Sequence, residues 1–139
     1  MKPPETELQA LVGDWVRKAA QDFAGAERLA AGGSEFRDLV VFHAQQAVEK
    51  YLKALLVRHQ IEFPKTHDIE KLLGLLRTVH PEIADSLLDA KWLTPFGVEI
   101  RYPGDFPETL PGDENRAVEL AGRAREAVMA LLGPYLSGG

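Results

Sequence analysis

The sequence predicts an all-α fold, an up-and-down bundle of four to five helices. Three observations carry this reading. Apolar residues recur three and four apart over long stretches, no stretch alternates apolar and polar residues for the length of a strand, and Gly and Pro fall between the periodic stretches. With 139 residues, 45% of them hydrophobic, the chain can bury one continuous core, so a single domain over residues 1–139 is expected.

From Leu8 onward Leu11, Val12, Trp15, Val16, Ala19, Phe23, Ala26 and Ala30 trace one face of a first helix, which Gly32 and Gly33 end. Ser34 is placed to cap a second helix, whose stripe of Val41, Ala44, Val48, Tyr51, Leu52 and Leu55 runs to about His59. "IEFPKTHD" interrupts the pattern, because Pro64 disfavours helix at Phe63. Thr66 or Asp68 then caps a short third helix carrying Ile69, Leu72, Leu73 and Leu76. Pro81 suits the first turn of a fourth helix, where its missing N–H costs nothing; Ile83, Leu87 and Leu88 form the buried side, and Pro95 and Gly97 interrupt it. Residues 103–112 hold three prolines and two glycines and read as a loop. Asp113 opens the last helix, with Val118, Ala121, Ala124, Val128, Leu131 and Leu132 inward and Glu119 and Arg123 paired outside; Gly133, Pro134 and the tail close it.

A net charge of −5 argues against a duplex-DNA binder, whose phosphate footprint normally makes a domain basic. The absence of cysteine excludes disulfides and thiolate chemistry. There is no signal-like apolar run at the N-terminus and no membrane-length apolar stretch, so a soluble cytoplasmic protein is expected.

The stretch "FHAQQAVEKYLKALL" spends helix positions on His43, Gln46, Lys50 and Lys53. At about 100° per residue these share one side, away from the apolar stripe. A lysine ammonium beside an imidazole and an amide can hold a phosphate or a nucleobase edge; a solvated outer face accounts for the same pattern. "PKTHDIEKLL" sets His67 and Asp68 at a helix start, where an anion could sit, although capping alone explains Thr66 and Asp68. "EIRYPG" sets Arg101 and Tyr102 where the fourth helix meets the loop; an aspartate or helix-end carbonyl partner for the arginine is the plainer explanation.

In this order and spacing, "FHAQQAVEKYLKALL", "FPKTHDIEKLL" and "IRYPGDF" resemble the HEPN family of small helical domains, over residues 10–134. The resemblance implies a helical bundle that commonly forms homodimers and takes a nucleotide or RNA. His43, Gln46, Glu49, Lys50 and Lys53 match the family's "QxxEKxxKA" helix, His67 and Asp68 its "THD" turn, Arg101 and Tyr102 its "RY" element, and Asp22 an acidic position of its first helix. It further implies a partner, a separate minimal nucleotidyltransferase chain, in a pair of the toxin–antitoxin type. The sequence has no nucleotidyltransferase motif of its own.

The expected function is therefore a nucleotide-binding and interaction module. In it Lys50, Lys53 and Arg101 contact phosphate, His43, Gln46 and Tyr102 contact base or sugar, and Glu49 and Asp68 orient the cations. Some members resemble metal-independent endoribonucleases that use an Arg and a His a short spacer apart. Arg37 and His43, with five residues between them, fit that spacing and are the candidate catalytic pair, although such a pair usually lies in a late helix. The third reading is a helical adaptor without a small ligand. No cofactor and no metal are expected, since His43, His59, His67 and His80 show no ligand spacing. Trp92, Phe96, Phe106 and Tyr135 are expected to be exposed and to be covered in a homodimer.

Overall fold

The computed structural model describes residues 4–97, 104 and 106–138, and their regular structure is helical throughout. The expected all-α bundle is what forms. The first helix, α1 (Glu5–Ala31), carries Glu5 and Glu7 in its first turn and Arg28 in its last, charges that suit the dipole at each end. It buries Leu8, Val12, Ala19, Phe23 and Ala26, while Leu11 stays about half exposed.

The second helix, α2 (Arg37–Arg58), does not start at Ser34. Ser34–Phe36 is a separate 3-10 turn, and Phe36, which has no capping side chain, holds the N-cap position of α2. The reason lies just upstream. Gly33 adopts a φ of +115°, open to glycine at little cost, and the turn lays the Phe36 ring against Gly32.

Asp68 caps α3 (Ile69–Leu76) by accepting from the Lys71 backbone N–H at 3.3 Å, and Thr66 Oγ1 accepts from the N–H of Asp68. Pro81 opens a very short α4 (Pro81–Ser86), which passes into a 3-10 segment, Leu88–Phe96. The last helix, α5 (Asp113–Leu136), runs through Gly133 and Pro134 rather than stopping there. Pro134 falls in the final turn, where its missing N–H forgoes one bond, that to the carbonyl four residues back. The turn is held by Ser137, whose N–H and hydroxyl both donate to the Gly133 carbonyl, and by Gln9 of α1, which donates to the Tyr135 carbonyl at 2.8 Å.

These elements surround α2. It packs on α1 along most of its length, on α5 from a second side, and on α3 and the 3-10 segment from a third. From Val40 to Leu56 only Phe42, His43 and Lys50 escape full burial. The aromatics expected at the surface belong to this core. Phe96 is buried, and Trp92, Phe106 and Tyr135 pack against the core half-buried. The 3-10 segment turns Trp92 and Phe96 onto each other at 5.3 Å between ring centroids, and Arg116 and Arg58 cover Trp92 and Tyr135. Among the described residues no helix is long and apolar enough to cross a membrane.

Candidate functional site

Burial of α2 on all sides changes the meaning of its polar residues. Gln46 and Lys53, expected on an outer face, lie inside, each at 8% exposure, together with Glu49 at 4% and Gln45 at 0%. The physical reason is that α1 and the 62–68 turn cover this side of α2, so its polar groups must find partners within the protein.

Two carboxylates organise those partners. Asp22, projecting from α1, accepts from Lys50 Nζ at 2.5 Å through one oxygen and contacts His43 Nδ1 at 2.9 Å through the other. Glu49, on α2, takes Lys53 Nζ at 3.2 Å on one oxygen. Its other oxygen meets His67 Nδ1 at 2.6 Å and Gln45 Nε2 at 3.2 Å. The cluster thus runs along the α1–α2 seam to the turn before α3.

The two halves differ in their access to water. The Glu49 side chain is 6% exposed and that of Lys53 10%, and the Lys53 ammonium lies 5.8 Å from the Trp15 ring centroid and 5.5 Å from that of Phe63. A cation held between a carboxylate and two aromatic rings is a packed internal group. The side chains of Lys50, His43 and His67 are 24%, 33% and 46% exposed, and these three form the open edge. Each imidazole has its Nδ1 on a carboxylate, His43 on Asp22 and His67 on Glu49.

Gln45 is the site residue that sequence reading missed. It is fully buried, donates to Glu49 and, at 3.3 Å, to the His67 carbonyl, and accepts from Gln46 Nε2 at 2.7 Å, so it ties the turn to α2. The available signal was a pair of glutamines inside an otherwise apolar helix, one of them four residues before a glutamate. Gly97 belongs with it. A Cβ there would stand 2.5 Å from the Gln45 carboxamide, so only glycine lets the chain after the 3-10 segment pass so close. Thr94 Oγ1 accepts from the Ile69 N–H at 3.1 Å and fastens that segment to the start of α3.

Asp68 caps α3, and among the described residues Lys50 is held by Asp22 and Lys53 by Glu49. Arg37 is paired with Glu114 of α5, whose carboxyl is held below its ordinary value of 4.5, chiefly by that hydrogen bond. Arg37 and His43 therefore answer to different carboxylates on different helices. Arg101 and Tyr102 lie outside the described residues. His59 and His80, far apart in sequence, meet Nε2 to Nε2 at 2.9 Å, and burial, then His80 and Arg58, lower the His59 imidazole below its ordinary 6.5. Among the described residues no group of three or more His, Asp or Glu could hold a metal ion.

The two-carboxylate seam, the THD turn and their order along the chain agree with a family match. The model of the HEPN domain matches residues 12–133. The chain belongs to the HEPN domain family. Comparison with curated proteins and with solved structures gave no match. The match covers α1 from Val12, all of α2, α3 and α4, and most of α5, so the seam lies wholly within the HEPN domain.

Proposed function

We propose that this HEPN domain is a non-catalytic nucleotide- or RNA-binding and interaction module. It acts in the cytoplasm as a homodimer beside a separate minimal nucleotidyltransferase, in a pair of the toxin–antitoxin type. The observation that carries the binding reading is the open edge of the seam, where Lys50, His43 and His67 meet solvent while Asp22 and Glu49 fix their positions. Donors held in place by paired carboxylates lose little freedom when an anion arrives. Lys50 contacts phosphate, Lys53 acts from inside by positioning Glu49, and Arg101 and Tyr102 are expected to join from the neighbouring loop. Calorimetric titration of the protein with ATP, GTP, their monophosphates and a short single-stranded RNA tests this. Saturable binding that Lys50→Ala abolishes is the expected result, and equal binding by that variant removes the assignment. The partner and the dimer are tested by co-purification and light scattering.

A second reading, a metal-independent endoribonuclease, is favoured by one observation, the contact of His43 Nδ1 with Asp22. A carboxylate that orients an imidazole in this way supports general acid–base work on a ribose 2′-hydroxyl. Against it stands the engagement of Arg37 with Glu114, which occupies the guanidinium of the candidate pair. Cleavage of RNA by EDTA-treated protein, lost in His43→Ala, would establish the nuclease. Intact RNA leaves the binding module, and a failure of both assays leaves a helical adaptor.

A further inference from the structure

The end of α2 away from His43 holds a second pair of histidines that the binding reading does not use. His59 is the C-cap of α2 and His80 the N-cap of α4, and only the fold brings them together. Their Nε2 atoms stand 2.9 Å apart, with ring centroids 4.9 Å apart and ring planes crossed at 60°. His43 lies sixteen positions earlier in the chain, about 24 Å along a helix axis, so this pair is a separate place from the Asp22 end of the seam.

We propose that His59 and His80 form a two-imidazole clamp for a divalent late transition ion of the copper, nickel or zinc kind, with water completing its coordination. The first argument is spacing. At the usual nitrogen-to-metal distance of about 2.0–2.1 Å, two ligand atoms stand about 2.9 Å apart at a right angle and about 3.3 Å apart at the tetrahedral angle. The observed 2.9 Å meets the first, which square and octahedral ions use, and a ring movement of roughly 0.4 Å meets the second.

The second argument lies on the other side of His80, whose Nδ1 contacts the Glu82 carboxylate at 3.3 Å. A carboxylate there keeps the proton on Nδ1 and turns the Nε2 lone pair outward, the arrangement by which metal-binding histidines are oriented. That lone pair accepts from the Nε2–H of His59, and an entering ion takes the place of this proton while His59 carries it on Nδ1. The third argument is the setting of His59. Burial is the chief cause that holds its imidazole below the ordinary 6.5, so it meets a cation as a neutral ligand. It also ends a 22-residue helix, whose dipole favours a cation at that terminus. Arg58, whose charge acts on His59 as well, opposes a cation and is stacked on the Tyr135 ring at 4.0 Å. Two protein ligands and an opposing arginine set the expected dissociation constant at about 1–100 µM, far weaker than a closed four-ligand zinc site. A bound ion ties the end of α2 to the start of α4 and keeps positions open to water.

The test is calorimetric titration of the full chain, freed of any histidine tag and stripped with EDTA, with copper, nickel and zinc chlorides in a non-coordinating buffer. Expected are one ion per chain and an affinity at least about tenfold lower in His59→Gln and in His80→Gln, each checked for fold by circular dichroism. The His43→Gln, His67→Gln double variant is expected to bind the ion as wild type does. Electron paramagnetic resonance of the wild-type copper form, which needs no variant to fold, is expected to show two imidazole nitrogens. No binding by wild type at about 1 mM ion, equal binding by either single variant, or a copper spectrum without ring nitrogens overturns the proposal. Loss of the ion in the double variant places it in the seam and overturns the proposal as well.

Discussion

Asp22 and Glu49 do the same work in two different media. Each holds a lysine and a histidine, but Asp22 reaches across from α1 to the open edge, whereas Glu49 sits in α2 under the turn and two aromatic rings, with Gln45 as a third donor. An ion pair at an open edge is screened and contributes little to stability, while a buried one leaves an uncompensated charge when either member is removed. The Glu49–Lys53 pair is thus internal, whereas the Asp22 half, with His67 at the far end of the seam, reaches solvent.

The largest effect that separates the halves is expected from Glu49→Ala, which strands Lys53 between Trp15 and Phe63. A loss of about 3–5 kcal/mol is expected in urea unfolding. Asp22→Ala is expected to cost about 1 kcal/mol and to act mainly on ligand binding. Equal losses for the two would erase the distinction. Gly97→Ala attacks the Glu49 half from behind by pushing the Gln45 carboxamide, and about 1–3 kcal/mol is expected from the same measurement, with no comparable loss for Gly74→Ala, where a Cβ meets nothing within 4 Å. Asp68→Ala, read here as loss of a helix cap, is expected to cost about 1 kcal/mol and to leave ligand affinity nearly unchanged. A large affinity loss would return Asp68 to the site.

The smallest effects come from pairs outside the seam and serve as its controls. His59 is held below 6.5 in the native state, so as pH falls from about 6.5 the unfolded chain takes up a proton that the native protein resists, and stability declines on acidification. His59→Gln is expected to flatten that part of a stability–pH curve without touching ligand affinity. Glu114 is held below 4.5 by Arg37, so its contribution is present above about pH 4.5 and is lost as pH falls through the lower native value. Glu114→Gln is expected to remove that decline at a cost of about 1 kcal/mol or less at neutral pH, measured by denaturant titration.

Much of this molecule was legible in its one-dimensional pattern. The three-and-four spacing of Leu8 to Ala30, of Ile69 to Leu76 and of Val118 to Leu132 marks the buried face of each helix, although Leu11 and Leu131, expected inward, lie at its exposed margin. Asp68 as a cap, Pro81 at a first turn and the outer pair of Glu119 and Arg123 are decided within four residues of chain. The motif residues of α2 and of the THD turn were legible too, as chemistry and as a family likeness.

Tertiary structure alone decided which way that chemistry faces. Periodicity separates apolar from polar sides, but it assigns water to the polar side by default, and the middle of α2 keeps only a narrow edge at His43 and Lys50 because α1, α5, α3 and the 3-10 segment pack around it. Asp22 is twenty-eight residues from Lys50 and Glu49 eighteen from His67, so these contacts exist only once the helices have packed, whereas Glu49 and Lys53 are a four-apart pair within α2. The burial of Gln45, the need for glycine at position 97 and the meeting of His59 with His80 have the same origin. A side chain's local pattern fixes its helix and its face, whereas its partner, its access to water and its charge are set by whichever distant segment closes over it.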